Sequence, residues 1–278
     1  MISPLKLLNK RQRMLILTIV AFAFLMSVVA IGIFLDEGRI ATNLENRNYP
    51  PSLEHPFGTD WLGRDMFSRT FMGLSLSVGV GLMGAFGSTF IAIILGMMAA
   101  TMGKMADRIV SWLIDLFLSV PHLVTLILIA FSLGGGFKGI VMGIALTHWP
   151  SLARIIRAEV MQIRSAEFVQ VSKKMGKSNV WIATKHIFPH VIPQIVVGFM
   201  LLFPHAILHE AAVTFLGLGL SPHKPAIGII LSESMKYLSS GMWWLAFFPG
   251  LCLLLVVRTF DVIGEKLRIL IDPNRAHE

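Results

Sequence analysis

Charge is scarce in this chain. Only 14% of its 278 residues are Asp, Glu, Lys or Arg, where a soluble domain carries about a quarter. Cysteine is almost absent: the one present, Cys252, lies inside an apolar run, so no disulfide framework can staple the fold. No nucleophile–base pair or metal triad stands out, which disfavours a membrane-embedded enzyme. What fills the space is apolar. Hydrophobic residues make up 55% of the chain and the mean hydropathy is +0.72. They come in long runs rather than at amphipathic spacing, which predicts an all-α, polytopic integral membrane protein.

Six spans are expected: about Met14 to Leu35, Gly73 to Thr101, Val110 to Leu133, Gly139 to Ala153, Val191 to Leu220 and Trp243 to Val262. The first follows Lys6, Lys10, Arg11 and Arg13. It is long and has no small-residue cleavage site after it, so a retained anchor is expected. The fourth is short, ends near Pro150 and must borrow from its flanks. With the N-terminus inside, seventeen Lys and Arg fall on the inner side and seven on the outer. That bias places both termini in the cytoplasm. It also explains the +8 formal charge as topology, with no nucleic acid needed.

Two strings invite nucleotide readings that their context denies. Gly79, Gly81 and Gly84 match GxGxxG, but they lie in an apolar run with no strand before them, so close helix packing is expected. Gly176-Lys177-Ser178 looks like the end of a Walker A loop, yet Val171 occupies the position of its first glycine. No nucleotide is expected to bind this chain by that route.

The polar run Glu167 to His190 interrupts the apolar pattern and carries Lys173, Lys174, Lys177 and Lys185. Glu167 to Met175 reads as a short helix stopped by Gly176, and Ser178 can cap a second one running to about Ile187 and closed by Pro189. Such a pair forms a knob that a soluble partner could grip. It resembles the EAA coupling loop of ABC importer permeases. Gly176 and Pro189 fall on that motif's glycine and proline, while Gln170, Val171 and Ser172 stand where the family has Glu-Ala-Ala, and Phe188 where it has leucine.

A second string, His55-Pro-Phe-Gly-Thr-Asp-Trp-Leu-Gly-Arg-Asp-Met-Phe-Ser-Arg69, is more distinctive. Asp60 is placed to cap a short helix with Leu62, Met66 and Phe67 on its apolar face, which physics alone reads as a helix lying on the bilayer. The string is similar to the HPLGTDxLGRDxxSR signature of the second permease subunit of dipeptide, oligopeptide and nickel ABC importers. Gly58, Asp60, Gly63, Arg64 and Asp65 fall on that signature. Downstream, Asp107-Arg108, Ser151 to Arg157, Glu210 to Gly219 and Gly264 to Pro273 keep the family's order and spacing. Pro225-Ala-Ile-Gly228 departs from it, lacking the usual tryptophan.

The resemblance implies a type I ABC importer permease fold, with an anchor and extracytoplasmic segment over 1–72, a permease core over 73–265 and a cytoplasmic tail over 266–278. It implies a bacterial or archaeal plasma membrane, a second homologous permease, two cytoplasmic ATPases that use the ATP, and an extracytoplasmic substrate-binding protein. Glu167, Gln170, Ser172, Gly176, Lys177, Ile187 and Pro189 then fall in the ATPase-coupling loop. Six spans without a clear internal repeat suit half of such a pore better than a secondary transporter.

For the cargo, the ionisable residues within spans are the clue: Asp115, His122, His148, His205, His209 and Glu210. His205 and His209 are four apart and share a helix face, as two ligands of one metal would. Nickel permeases of the family can carry such a pair, so nickel or a metal chelate is the expected cargo, with small peptides as the alternative. A histidine gate that responds to protons, or inert packing, would use the same residues. Glu210 belongs to the family's own Glu-Ala-Ala string and reads as structural or gating, although it too is a candidate for the path. No cofactor is expected on the chain itself; Ni²⁺ would be transported rather than resident.

Overall fold

The long helix α2, Met66–Thr101, is the post around which the molecule is built. Along one stripe it buries Gly73, Ser77, Gly81, Gly84, Ser88, Ala92, Gly96 and Ala99, small residues three or four apart. Small side chains let neighbouring helices approach closely, which matters most where lipid offers no hydrophobic penalty for separation. A Cβ on Gly84 would lie 2.6 Å from Ile144 Cγ2. Gly81 faces Phe203 and Ile207 and Gly96 faces Ile156, while Gly79 meets nothing within 4 Å. Two of the three glycines of the GxGxxG string, Gly81 and Gly84, are therefore helix-packing positions as expected, and Gly79 is not.

The computed structural model describes residues 10–221 and 223–271. Lys6 of the basic N-terminus and Asp272-Pro273 of the tail lie outside them. Helix α1 (Lys10–Phe34) leans on α2 and leaves most of its apolar surface outward. After α2 come α3 (Lys104–Ser119), α4 (His122–Ser132), α5 (Gly136–Thr147) and α6 (Trp149–Arg164). The short α7 (Glu167–Lys174) and α8 (Asn179–Ile182) lead through a π-helical turn, Ala183–Ile187, into α9 (Phe188–Phe215). The buried α10 (Ile227–Met235) and the long α11 (Trp244–Ile271) complete the described residues. The shared core holds Leu74, Val80, Ile144, Ile156, Phe203 and Ile207.

Among the described residues, five helical stretches are long and apolar enough to cross a membrane, and six if the bent pair α3–α4 counts as one span. Four expectations about the elements need correction, and proline decides three of them. The third span is not one helix: α3 and α4 meet at 100°. Pro121 cannot donate to the preceding turn and drives Val120 into extended backbone (φ −96°, ψ 141°). The fourth span is not short. Pro150 sits in the first turn of α6, where a missing N–H costs nothing, so helix continues over Gly136–Arg164 with only a joint at His148. Pro189 likewise does not close the polar knob; it lies in the first turn of α9, and helical residues run from Asn179 to Phe215. The fourth correction concerns Asp60. No short helix starts there; Asp65 is the cap, and α2 runs from Met66 unbroken past position 72, where the core was expected to begin.

Candidate functional site

Two breaks in the helical pattern and one proline-bearing stretch of continuous helix meet in one place. His122 opens α4 directly after Pro121, His148 is the joint between α5 and α6, and His209 lies on α9 beyond the internal Pro204. Backbone irregularity at membrane depth is tolerated where it lines a cavity. Here a cavity of about 360 Å³ is walled by α4, α5, α6 and α9, with His122, His148, His205, His209, Ser151 and Leu201 on its surface.

The imidazoles are close. His148 Nε2 lies 3.1 Å from His209 Nδ1. His122 Nε2 lies 3.2 Å from each nitrogen of His148, because the two rings stand edge to face at 89°. His148 is buried; its Nδ1 is 3.2 Å from the Ile144 carbonyl and 3.1 Å from Thr147 Oγ1.

The expected pair is thus divided. His209 joins His122 and His148, whereas His205 is exposed on the same cavity one turn away. Glu210 is turned elsewhere, because neighbours on a helix point about 100° apart. It is fully buried and its Oε1 accepts from Thr214 Oγ1 at 2.9 Å. Thr214 Oγ1 in turn accepts from the Leu220 N–H at 3.3 Å, which ties off the end of α9. Asp115 is exposed and pairs with Arg154 at 2.9 Å, outside the cavity. A proline lies within five residues of His122, His148 and His209, but Pro204 also adjoins His205, so that local signal gathers the four cavity histidines without separating the three.

The outer string is a buried ion network. Asp60 is fully buried, and its Oδ1 accepts from the N–H groups of Leu62 and Arg64 at 2.9 and 3.0 Å. Its Oδ2 accepts from Arg64 Nε at 2.7 Å and Arg69 Nη1 at 2.6 Å. Arg69 reaches on to Glu233 of α10 at 2.8 Å, and Arg64 to the same oxygen at 3.4 Å. Asp65 caps α2 through the Ser68 N–H at 2.8 Å and meets His55 at 3.0 Å. Gly63 turns the loop at φ +73°; a Cβ there would fall 1.6 Å from the Asn43 carbonyl oxygen. Gly58 accepts from the Met66 N–H at 3.0 Å, closing the loop onto the start of α2. Two aromatic stacks, Trp61 on Tyr237 and Phe57 on Phe248, hold this loop to the segments flanking α10. A helix floating on the bilayer would bury none of this.

At the other polar region, Met175 caps the end of α7 and Gly176 takes φ +77° in open space. Ser178 caps α8 by accepting from the Trp181 N–H at 3.2 Å, as expected. Glu167, Gln170 and Lys177 are exposed, as is Pro189, while Ile187 is buried. Gln170 donates to the Arg164 carbonyl at 2.8 Å, and Ser172 Oγ to that of Phe168 at 2.9 Å, with His186 3.0 Å away. Arg164 donates to the Ala100 carbonyl at 2.7 Å, pinning the end of α6 to the end of α2.

Residues 92–268 match the family model described as the binding-protein-dependent transport system inner membrane component. The dipeptide transport system permease protein DppC of Bacillus subtilis is 35% identical over 258 residues, 92% of this chain and 80% of that one. The chain belongs to this permease family. The oligopeptide permease OppC of the same organism is 33% identical over 271 residues, 98% of this chain and 88% of that one. Among solved structures, an inward-facing form of the MetNI methionine ABC transporter superposes with a TM-score of 0.60 at 17% identity, over 74% of this chain and 98% of that one. That likeness is one of fold, and the permease has the helical fold of ABC importers that its motifs implied. It is a multi-pass inner-membrane transport component rather than an enzyme. Membership implies ATPase and substrate-binding partners.

Proposed function

We propose that this permease forms half of the membrane path of an ATP-driven importer of small peptides. One observation carries the cargo: 35% identity to a dipeptide permease across 92% of the chain. This reverses the order expected from His205 and His209 alone, where nickel came first. The cavity between α4, α5, α6 and α9 serves as this subunit's share of the path, completed by a second homologous permease. Its volume falls within the range of small-molecule sites, about 300–1,000 Å³.

The exposed α7–Gly176–α8 knob, with Lys173, Lys174, Lys177 and Lys185 on its surface, is the part that two cytoplasmic ATPases push. The excess of Lys and Arg on this side supports a cytoplasmic placement for it and for both termini. The loop pinned by Asp60 faces the substrate-binding protein. The permease contributes no nucleotide chemistry of its own.

A second reading, import of nickel or a metal chelate, is favoured by the three converging imidazoles. The two are separated by uptake of a labelled dipeptide and of radioactive nickel in cells that lack their own importers and express the whole transporter. ATP-dependent dipeptide uptake is the expected result. Nickel uptake without dipeptide uptake would replace the first reading by the second.

A further inference from the structure

We propose that His122, His148 and His209 form a coordination site for a divalent transition metal of the nickel, cobalt, copper or zinc class. The proposal rests on reading this cavity as the path and sharpens the metal alternative, yet its evidence is geometric. One nitrogen from each ring can be chosen so that all three lie within 4.8 Å of one another. The nearest separations are 3.1 and 3.2 Å. Nitrogens bound to one ion at about 2.0–2.1 Å lie roughly 3.0–3.4 Å apart, so the two separations to His148 already fit and the one between His122 and His209, within 4.8 Å, is the one to close.

The hydrogen bonds orient the central ligand. A carbonyl can only accept, so the contact with Ile144 requires that His148 Nδ1 carry the proton and donate it. Thr147 Oγ1 is free to accept from the same N–H, since its own proton goes to the Gly143 carbonyl at 2.8 Å. His148 Nε2 is then left with an in-plane lone pair 3.1 Å from His209 Nδ1, while His122 Nε2 sits over the ring, equally far from both of its nitrogens. A backbone carbonyl holding the far N–H of an imidazole is the usual support behind a metal-bound histidine. His122 must turn from its edge-to-face pose for its Nε2 to share an ion. Rotation about that ring torsion is soft, and the ring is half-exposed at the cavity wall.

The donor set also argues for the class of ion. Among the described residues no carboxylate joins the three rings: Glu210 is held by Thr214 and Asp115 by Arg154. Mg²⁺ and Ca²⁺ require oxygen ligands, whereas imidazole suits Ni²⁺, Cu²⁺ and Zn²⁺. Three protein ligands on an open cavity leave a position for water or for a donor atom of the cargo. Such a site can stay labile, as a transport path demands.

The test is equilibrium binding of Ni²⁺ to the purified transporter complex, carrying no histidine tag and given no ATP. The expected result is one saturable Ni²⁺ per copy of this permease, competed by Zn²⁺ and untouched by Mg²⁺. His122→Gln, His148→Gln and His209→Ala should each weaken it about tenfold or more, and His205→Ala less than threefold. His122, half-exposed at the start of α4, keeps the test decisive if the buried His148 variant fails to fold. Absence of saturable binding, or binding indifferent to His122→Gln and His209→Ala, would overturn the site. Binding without nickel uptake would retain the site and remove the metal-cargo reading. Nickel uptake that survives loss of the three histidines would do the reverse.

Discussion

Removal of the Asp60 carboxylate should destabilise the permease more than removal of the Glu233 carboxylate that shares its arginines. The side chain is fully buried and takes four hydrogen bonds, two from loop N–H groups and two from Arg64 and Arg69. In Asp60→Ala, Arg69 keeps only Glu233, although its own side chain is 4% exposed. Stranding one partner of a buried pair costs about 3–5 kcal/mol. Glu233 is 25% exposed, so Glu233→Gln should cost less, at most about 1.5–3 kcal/mol for hydrogen bonds to a charged group. Asp60→Asn should fall between them, since one oxygen can still serve the loop. Because deleting both members of a buried pair is often close to neutral, Asp60→Ala/Arg69→Met should recover part of the loss. The recovery is incomplete because Leu62 and Arg64 N–H groups remain unpaired, at about 1 kcal/mol each. Thermal unfolding of the purified complex reads the series. An Asp60→Ala variant no worse than Glu233→Gln, or a double variant no better than the single, would refute the reasoning.

Two further outcomes follow from glycines whose surroundings differ. Gly84→Ala should impair folding, because the new methyl meets Ile144 at 2.6 Å, and overpacking costs about 1–3 kcal/mol; Gly79→Ala, in open space, should be neutral by detergent-solubilised yield and unfolding temperature. At Gly176, φ +77° in free space means that alanine pays only the left-handed backbone term, about 1–2 kcal/mol, whereas proline cannot adopt that angle at all. Gly176→Ala should therefore keep substantial uptake, and Gly176→Pro should leave the permease in the membrane while abolishing uptake and co-purification of the ATPases; normal uptake by the proline variant would remove the coupling role.

The apolar runs and the small-residue stripe of α2 made the fold legible, because helix formation and helix approach are local properties of a span. Gly176 and Ser178 were legible for the same reason: a C-terminal glycine and an N-cap act within a few residues. Proline was ambiguous. Pro121 breaks its helix, yet Pro150 and Pro189 begin theirs, and the difference depends on whether the preceding residue is extended, as Val120 is, or helical, as Ile187 and Phe188 are. Asp60 misled for a further reason. Its decisive partner, Arg69, reaches Glu233 164 residues away, and no local pattern announces that contact. The histidine cluster joins positions 122, 148 and 209 from separate helices, so spacing along one helix found only one of its three members.

The most direct measurement asks whether the cavity is the path. Ser151, exposed on its wall, is replaced by cysteine in a Cys252→Ser background, and the outward-facing Phe90 is replaced in the same background as the lipid control. The account predicts that a small charged thiol reagent modifies the cysteine at 151 in the assembled transporter, and that saturating dipeptide with its binding protein and ATP slows the reaction. Reactivity at 151 no greater than at 90, or unchanged by cargo during turnover, would contradict it.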